Sequence, residues 1–120
     1  MLPCIPILRL FDEAVTRAFY VDFLGFAVDW EHRFADDLPL YMQVRRDALL
    51  LHLSGHHGDA TPGSAVRIEV DNLDALQAEL IAKQYKHARP SIVDQPWGMR
   101  ELGVHDPAGN RLIFYTPIDG

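Results

Sequence analysis

The sequence predicts an α+β fold of paired βαβββ units that form a curved mixed sheet with the helices outside. Three observations carry this. The order strand, helix, three strands occurs twice within 120 residues. A loop at 55–63, rich in Gly, Asp, Thr and Pro, separates the two runs. The chain also closes on a hairpin signal, with Arg100 to His105 and Arg111 to Tyr115 flanking Asp106-Pro107-Ala108-Gly109-Asn110. Pro107 presets φ at the first central position of that turn, Gly109 is free to take a positive φ, and Asp106 can hydrogen-bond its own backbone. The expected organisation is a single domain over 1–120, with a first unit at 4–54, a linker at 55–63 and a second unit at 64–117.

The first unit opens with Cys4 to Leu10 as a strand. Pro3 and Pro6 lack N–H donors, which places this strand at a sheet edge or in a crossing between units. Asp12 is positioned to cap a helix from Glu13 to Leu24 that Gly25 ends. Val15, Ala18, Phe19 and Phe23 are its expected buried stripe. Phe26 to Arg33 reads as a strand in which Phe26, Val28 and Trp30 alternate with polar neighbours. Asp36-Asp37-Leu38-Pro39 is the next turn, Leu40 to Val44 the next strand, and Arg45-Arg46-Asp47 a short connection. Ala48 to Ser54 is so apolar that both its faces are expected to be covered.

The second unit repeats the order without strong identity to the first. Ala65 to Val70 is a strand. Asp71 or Asn72 caps a helix carrying Leu73, Leu76 and Leu80 on one side, and His87 to Val93 is a further strand before the closing hairpin. Ahead of that hairpin, Pro96-Trp97-Gly98 sets a large aromatic beside a residue that permits close approach, so Trp97 is either a core plug or a ligand platform.

Composition excludes several classes. A net charge of −6 disfavours nucleic acid, which wants a basic face, and an acidic surface favours a cationic ligand if it does more than keep the protein soluble. Cys4 is the only cysteine, so neither an internal disulfide nor a cysteine zinc site can form, and an inert buried thiol is expected. No apolar run approaches the ~20 residues of a membrane span. No basic segment precedes an apolar one at the N-terminus, so a cytoplasmic protein is expected. There is no nucleophile elbow, Walker loop or dinucleotide fingerprint.

DPAGN before an apolar strand, PWGMRE ahead of it, RAFYVDFLGF in the first helix and GDATPG followed by VRIEVDNLDALQAEL together resemble the glyoxalase, bleomycin-resistance and extradiol-dioxygenase (vicinal oxygen chelate) superfamily. PWG-x-RE is closer to the bleomycin-resistance branch. The resemblance covers nearly the whole chain, and that fold hosts several chemistries. Metal-dependent members draw ligands from four places, which here fall on Ile5, His52, Ala65 and Ile113. Only His52 can bind a metal, so the resemblance implies no cofactor and argues against catalysis. Glu69, Glu101 and His105 are the nearby substitutes if the strands slip by a residue.

What the resemblance implies instead is metal-independent sequestration of a small amphipathic or cationic ligand, a bleomycin-type antibiotic, in the cleft of a homodimer. The first strand is the place where subunits would exchange. The residues expected at the ligand are Asp29, Trp30, His32, Phe34, His52, Ser54, Trp97 and Arg100, with Asp36 and Asp37 available to a cationic tail. Each has a plainer reading beside it: Trp30 in the core, His52 as a hydrogen-bonded sheet residue, His56 and His57 as a solvated pair, and Arg100 with Glu101 as a structural ion pair. Two other functions stay open, a divalent-metal lyase, isomerase or dioxygenase and a binding protein for an unknown metabolite.

Overall fold

The computed structural model describes residues 1–118, which fall into two compact units, Met1–Ser64 with Pro107–Asn110 and the chain from Ala65 to Asp106 with that from Arg111 onward. Each holds a four-stranded mixed sheet and a helix, so the doubled βαβββ order is present as two sheets.

In the first unit the strands are β1 (Ile7–Arg9), β2 (Ala27–His32), β3 (Tyr41–Arg46) and β4 (Leu49–Ser54), in the order β1-β4-β3-β2. β1 is parallel to β4 and lies at the edge, as its prolines require. It is also shorter than expected. The backbone before Ile7 forms no strand, and Cys4, expected to be a buried strand residue, is exposed. The β3–β4 hairpin turns at Asp47, whose φ of 53° is the left-handed conformation that Asp tolerates better than most residues. Arg45 and Arg46 therefore belong to β3 and not to the connection.

The first helix begins as read. Asp12 Oδ1 accepts from the Val15 N–H at 2.9 Å. After α1 (Glu13–Arg17) it widens into a π-helical stretch, Ala18–Phe23, in which the Leu24 N–H reaches the Phe19 carbonyl five residues back. The buried set is Thr16, Phe19, Tyr20 and Phe23, spaced i, i+3, i+4 and i+7, while Val15 is exposed. Gly25, at φ 75°, then reverses the chain. These aromatics belong to a core with Leu8, Met42, Val44, Leu51 and Leu53, each large apolar side chain contributing roughly 1.5–3 kcal/mol by leaving water. β4 buries Leu51 and Leu53 completely on one face. His52, on the other, is half-buried, contrary to the expectation that both faces are covered.

In the second unit β5 (Ala65–Glu69), β6 (Ile92–Gln95), β7 (Met99–His105) and β8 (Arg111–Pro117) run in the order β5-β8-β7-β6, with β5 parallel to β8. Helix α2 (Leu73–Ala82) is capped by Asn72, whose Oδ1 accepts from the Ala75 N–H at 3.0 Å. It buries Leu73, Leu76 and Leu80, as expected, in a core that also holds Leu102, Val104, Leu112 and Phe114. β6 starts later than the expected His87, because the chain still turns at Lys86-His87 and Pro90 offers no N–H to a ladder. The β7–β8 turn, whose Pro107–Asn110 belong to the first unit, carries Gly109 at φ 89°, and there the fully buried Asn110 donates through Nδ2 to the Arg9 carbonyl of the same unit at 3.0 Å. No helix of the described residues is long and apolar enough to cross a membrane.

Candidate functional site

Each sheet has one face in its core and one open face, and chemistry collects on the open faces. In the first unit, the pairing of β2 with β3 slips between Val28, opposite Val44, and Trp30, opposite Gln43. Asp29 is the extra residue of this β-bulge. A bulge sets two residues against one and turns both toward the same side. Asp29 and Trp30 therefore meet Gln43 together, and Trp30 is 42% exposed. The simple alternation that put Trp30 in line with Phe26 and Val28 is thereby corrected: Phe26 is core and Trp30 is open face.

Trp30 stacks on Tyr41, with centroids 5.9 Å apart and planes 9° from parallel, and both meet the His52 ring edge-on at 5.3 and 5.2 Å. Beneath the rings runs a chain of hydrogen bonds. The Tyr41 hydroxyl lies 2.6 Å from His52 Nδ1, His52 Nε2 lies 2.9 Å from Gln43 Oε1, and Gln43 Nε2 donates to Asp29 Oδ2 at 2.8 Å. Asp29 also accepts from Arg45 Nε at 3.1 Å.

The charge on Asp29 fixes the direction of the chain. A carboxylate only accepts, so the Gln43 amide turns its NH₂ to Asp29 and its oxygen to His52. His52 must then donate from Nε2, which leaves Nδ1 to accept from Tyr41. Burial lowers the His52 pKa and favours this neutral tautomer, while burial, helped by Asp59, raises that of Tyr41 and keeps its proton in place. The Gln43 hydrogen bond and then Arg45 hold the Asp29 carboxyl below its ordinary range. Tyr41, Gln43 and Arg45 were not among the expected site residues, yet the sequence held a signal for them: they alternate with buried Met42 and Val44 at the period of a strand.

The other expected residues divide. His32 lies edge-on to Phe34 at 4.6 Å, and Phe34, 75% exposed, meets the His56 ring at 5.9 Å. His56 is thus not merely solvated, since its carbonyl also accepts from Arg9 Nη1 at 2.8 Å. Ser54 is fully buried and donates to Asp59 at 2.6 Å, which removes it from any ligand surface. Asp36 and Asp37 line a separate cleft of about 320 Å³ with Phe11, Leu38, Glu13 and Arg33, the last two ion-paired.

In the second unit Trp97 occupies the β6–β7 turn and is 61% exposed. Its Nε1–H donates to Glu101 Oε2 at 2.9 Å, and Arg67 Nη2 donates to the same oxygen at 2.9 Å. Arg67 also lies over the Tyr115 ring at 4.6 Å. Arg67 and then Trp97 pull the Glu101 pKa down. Arg100 points the other way. It is bidentate to Asp74 of α2 at 3.0 and 3.2 Å and reaches Asp94 at 3.3 Å. Adjacent strand residues face opposite sides, so no Arg100–Glu101 pair forms, and Arg100 is engaged with Asp74 and Asp94 on the side away from Glu101.

The four positions of the metal-dependent pattern fit no metal. Ile5 precedes β1, and the residue beside His52 on the ladder is Ile7; the residue beside Ile113 is Arg67. His52 has both ring nitrogens engaged, and of the substitutes Glu101 is already shared by Arg67 and Trp97. Among the described residues, no three His, Cys, Asp or Glu side chains gather at a point.

A family model described as Glyoxalase superfamily protein matches residues 2–120. Bleomycin resistance proteins of Geobacillus stearothermophilus and Staphylococcus aureus (strain N315) are each 28% identical over 130 residues, covering 98% of this chain and of theirs. Among solved structures, the bleomycin resistance determinant encoded on transposon Tn5 superposes with a TM-score of 0.77 at 21% identity, over 98% of both chains. A bleomycin-binding protein complexed with bleomycin gives 0.70 at 22% identity, over 97% of this chain and 98% of that one. A glyoxalase family protein from Enterococcus faecalis gives 0.64 at 16%, over 94% of both. At these identities the structural likeness is one of fold.

Proposed function

The chain belongs to the glyoxalase superfamily, and from that premise we propose that it binds and sequesters a small amphipathic, cationic ligand of the bleomycin type, using no metal ion of its own. The observation that carries this reading is the exposed Trp30, stacked on Tyr41 and set beside a carboxylate that neighbouring side chains keep ionised. An electron-rich ring receives a planar heteroaromatic or a cation with ~0.5–2 kcal/mol of attraction. Trp97 offers a second such surface, and Asp36 and Asp37 a cleft of matching charge for a cationic tail. The relatives named as bleomycin resistance proteins support the ligand class.

The bonding of His52 supports retention without metal chemistry. Its nitrogens are spent on Tyr41 and Gln43, so the ring holds the aromatic floor together and has no lone pair left for an ion. We further propose a homodimer, with exchange of the first strand between copies. β1 is a three-residue edge strand whose first residue, Ile7, is exposed, as is Ile5 just before it. Action in the cytoplasm belongs to the same proposal.

Titration with metal-free bleomycin is expected to quench tryptophan fluorescence at stoichiometric ligand and to return the ligand with unchanged mass. No quenching at roughly 100 μM, a binding free energy of only about −5.5 kcal/mol, sinks the antibiotic reading. Stoichiometric nickel, zinc, iron or manganese in the purified protein reverses the choice in favour of an enzyme. A sedimentation mass of one chain removes the dimer.

A further inference from the structure

The open face of the second sheet holds a buried charge that its core does not need. Glu101 is 91% removed from solvent, the complement of its 9% exposure. Such a carboxylate is tolerated only when paired and hydrogen-bonded. Both of its partners are themselves exposed: the Arg67 side chain is 45% exposed and Trp97 is 61% exposed. The hydrophobic residues of this unit, Leu73, Leu76, Leu80, Leu102 and Phe114 among them, need nothing from this cluster, because Leu102 and its strand alternates face the other way.

We infer that Glu101, itself backed by Arg67, is a positioning residue for Trp97, locking the indole of the β6–β7 turn over the open face of the second sheet. The turn leaves that indole much freedom. It is three residues long, Pro96-Trp97-Gly98, with Gly98 at φ 85° and no atom within 4 Å of where a Cβ would stand there. The backbone fixes the turn through the Gly98 N–H to the Gln95 carbonyl at 3.1 Å and the Ile118 N–H to the Gly98 carbonyl at 2.9 Å. The hydrogen bond that fixes the ring is the one to Glu101.

Two properties follow. The indole's only polar atom is consumed, so its two faces are left as purely apolar and π-electron surfaces. The ring is also held before a ligand arrives, which removes part of the ordering cost of binding. Arg67, lying over Tyr115, keeps the carboxylate from swinging toward solvent. This inference rests on the ligand-binding reading above for its consequence, but the positioning itself is measurable without ligand.

The indole N–H resonance of Trp97 in proton–nitrogen correlation spectra of the full chain, assigned by its loss in Trp97→Phe, is the direct readout. In the wild type it is expected downfield and slow to exchange. Glu101→Leu moves it to the position of a free indole and weakens metal-free bleomycin about tenfold, the scale of one stacking contact. Glu101→Gln, which keeps an acceptor, holds both readouts near wild type. Should Glu101→Leu not fold, Glu101→Asp, one methylene short of the indole, gives the same two readouts. An unchanged resonance in the Leu or Asp variant overturns the inference, and so does a displaced resonance with affinity within about twofold of wild type. If the wild type binds no bleomycin, the functional reading fails by itself, and the resonance alone decides whether Glu101 positions Trp97.

Discussion

Trp30 and Tyr41 lie ring against ring on adjacent strands, their planes 9° from parallel, although the ladder register sets Gln43 opposite Trp30. The stack is diagonal and depends on the bulge at Asp29. With Tyr41 and His52 packed against it, the indole still leaves 42% of Trp30 exposed to a partner.

Replacing that indole separates binding from folding. Trp30→Ala is expected to lose at least about tenfold in bleomycin affinity, and Trp30→Phe only about threefold, because a smaller ring still stacks. Neither should change the unfolding free energy by more than about 1 kcal/mol, since the residue lies outside the core. Calorimetric titration and urea unfolding of the two variants check both halves.

The hydrogen-bonded chain under the rings makes stability depend on acid. His52 has a folded pKa lowered from 6.5. Below that value the unfolded chain takes up the proton first, so the contribution of neutral His52 is lost as the pH falls from 6.5 through the lowered value. Wild type is expected to lose stability over this window more steeply than His52→Gln, and the difference should vanish above pH ~7.5. Parallel slopes of unfolding free energy against pH for the two proteins would contradict this.

A smaller change tests the same chain in another way. Tyr41→Phe keeps the stacked ring and removes the donor to His52 Nδ1, so about 0.5–1.5 kcal/mol of stability is expected to go, with affinity little affected. Thermal melts and titration give the two numbers.

Asn110 is fully buried in the β7–β8 turn and donates to the Arg9 carbonyl. Asn110→Ala leaves that carbonyl without its partner and is expected to cost about 1–3 kcal/mol. A melting temperature within a degree of wild type would show that the bond contributes nothing.

Gly103 stands in the interior of β7 with no atom within 4 Å of where a Cβ would be and no need for a positive φ. Ala there removes backbone freedom from the unfolded chain without a clash, so Gly103→Ala is expected to stabilise by about 0.4–1 kcal/mol. The denaturation midpoint should rise at constant slope.

Wherever a local rule acted alone, the fold was legible in the sequence. The Asp12 and Asn72 caps, the Gly25 and Gly109 turns, the stripe of Leu73, Leu76 and Leu80 and the proline-marked edge strand all rest on nearest-neighbour chemistry. Features that insert a residue were not legible. The π-helical stretch after Arg17 left no mark in the spacing, and the bulge at Asp29 turned Trp30 outward, whereas the exchange of Val15 for Thr16 and Tyr20 at the core is a choice between two overlapping helical stripes. Periodic patterns carry no mark of such an insertion, because its cause lies in tertiary packing. The site was legible in part for the same reason. Trp30, Asp29, His52 and Trp97 stand on open faces. Ser54 and Arg100 do not, since a hydroxyl or guanidinium reads the same in sequence whether it serves a neighbour or a ligand. Glu101 was visible as an acid but not as the acceptor for a tryptophan four positions earlier in the chain.

The single surplus residue in β2 has a genetic consequence. Loss of one codon at Asp29 would restore plain pairing with Trp30 still opposite Gln43 on the open face, and would remove the carboxylate that Gln43 and Arg45 hold beside it, with the strands and helices otherwise intact. A lineage carrying this architecture could therefore gain or lose the acid beside its aromatic wall by one in-frame insertion or deletion while the wall itself stays in place.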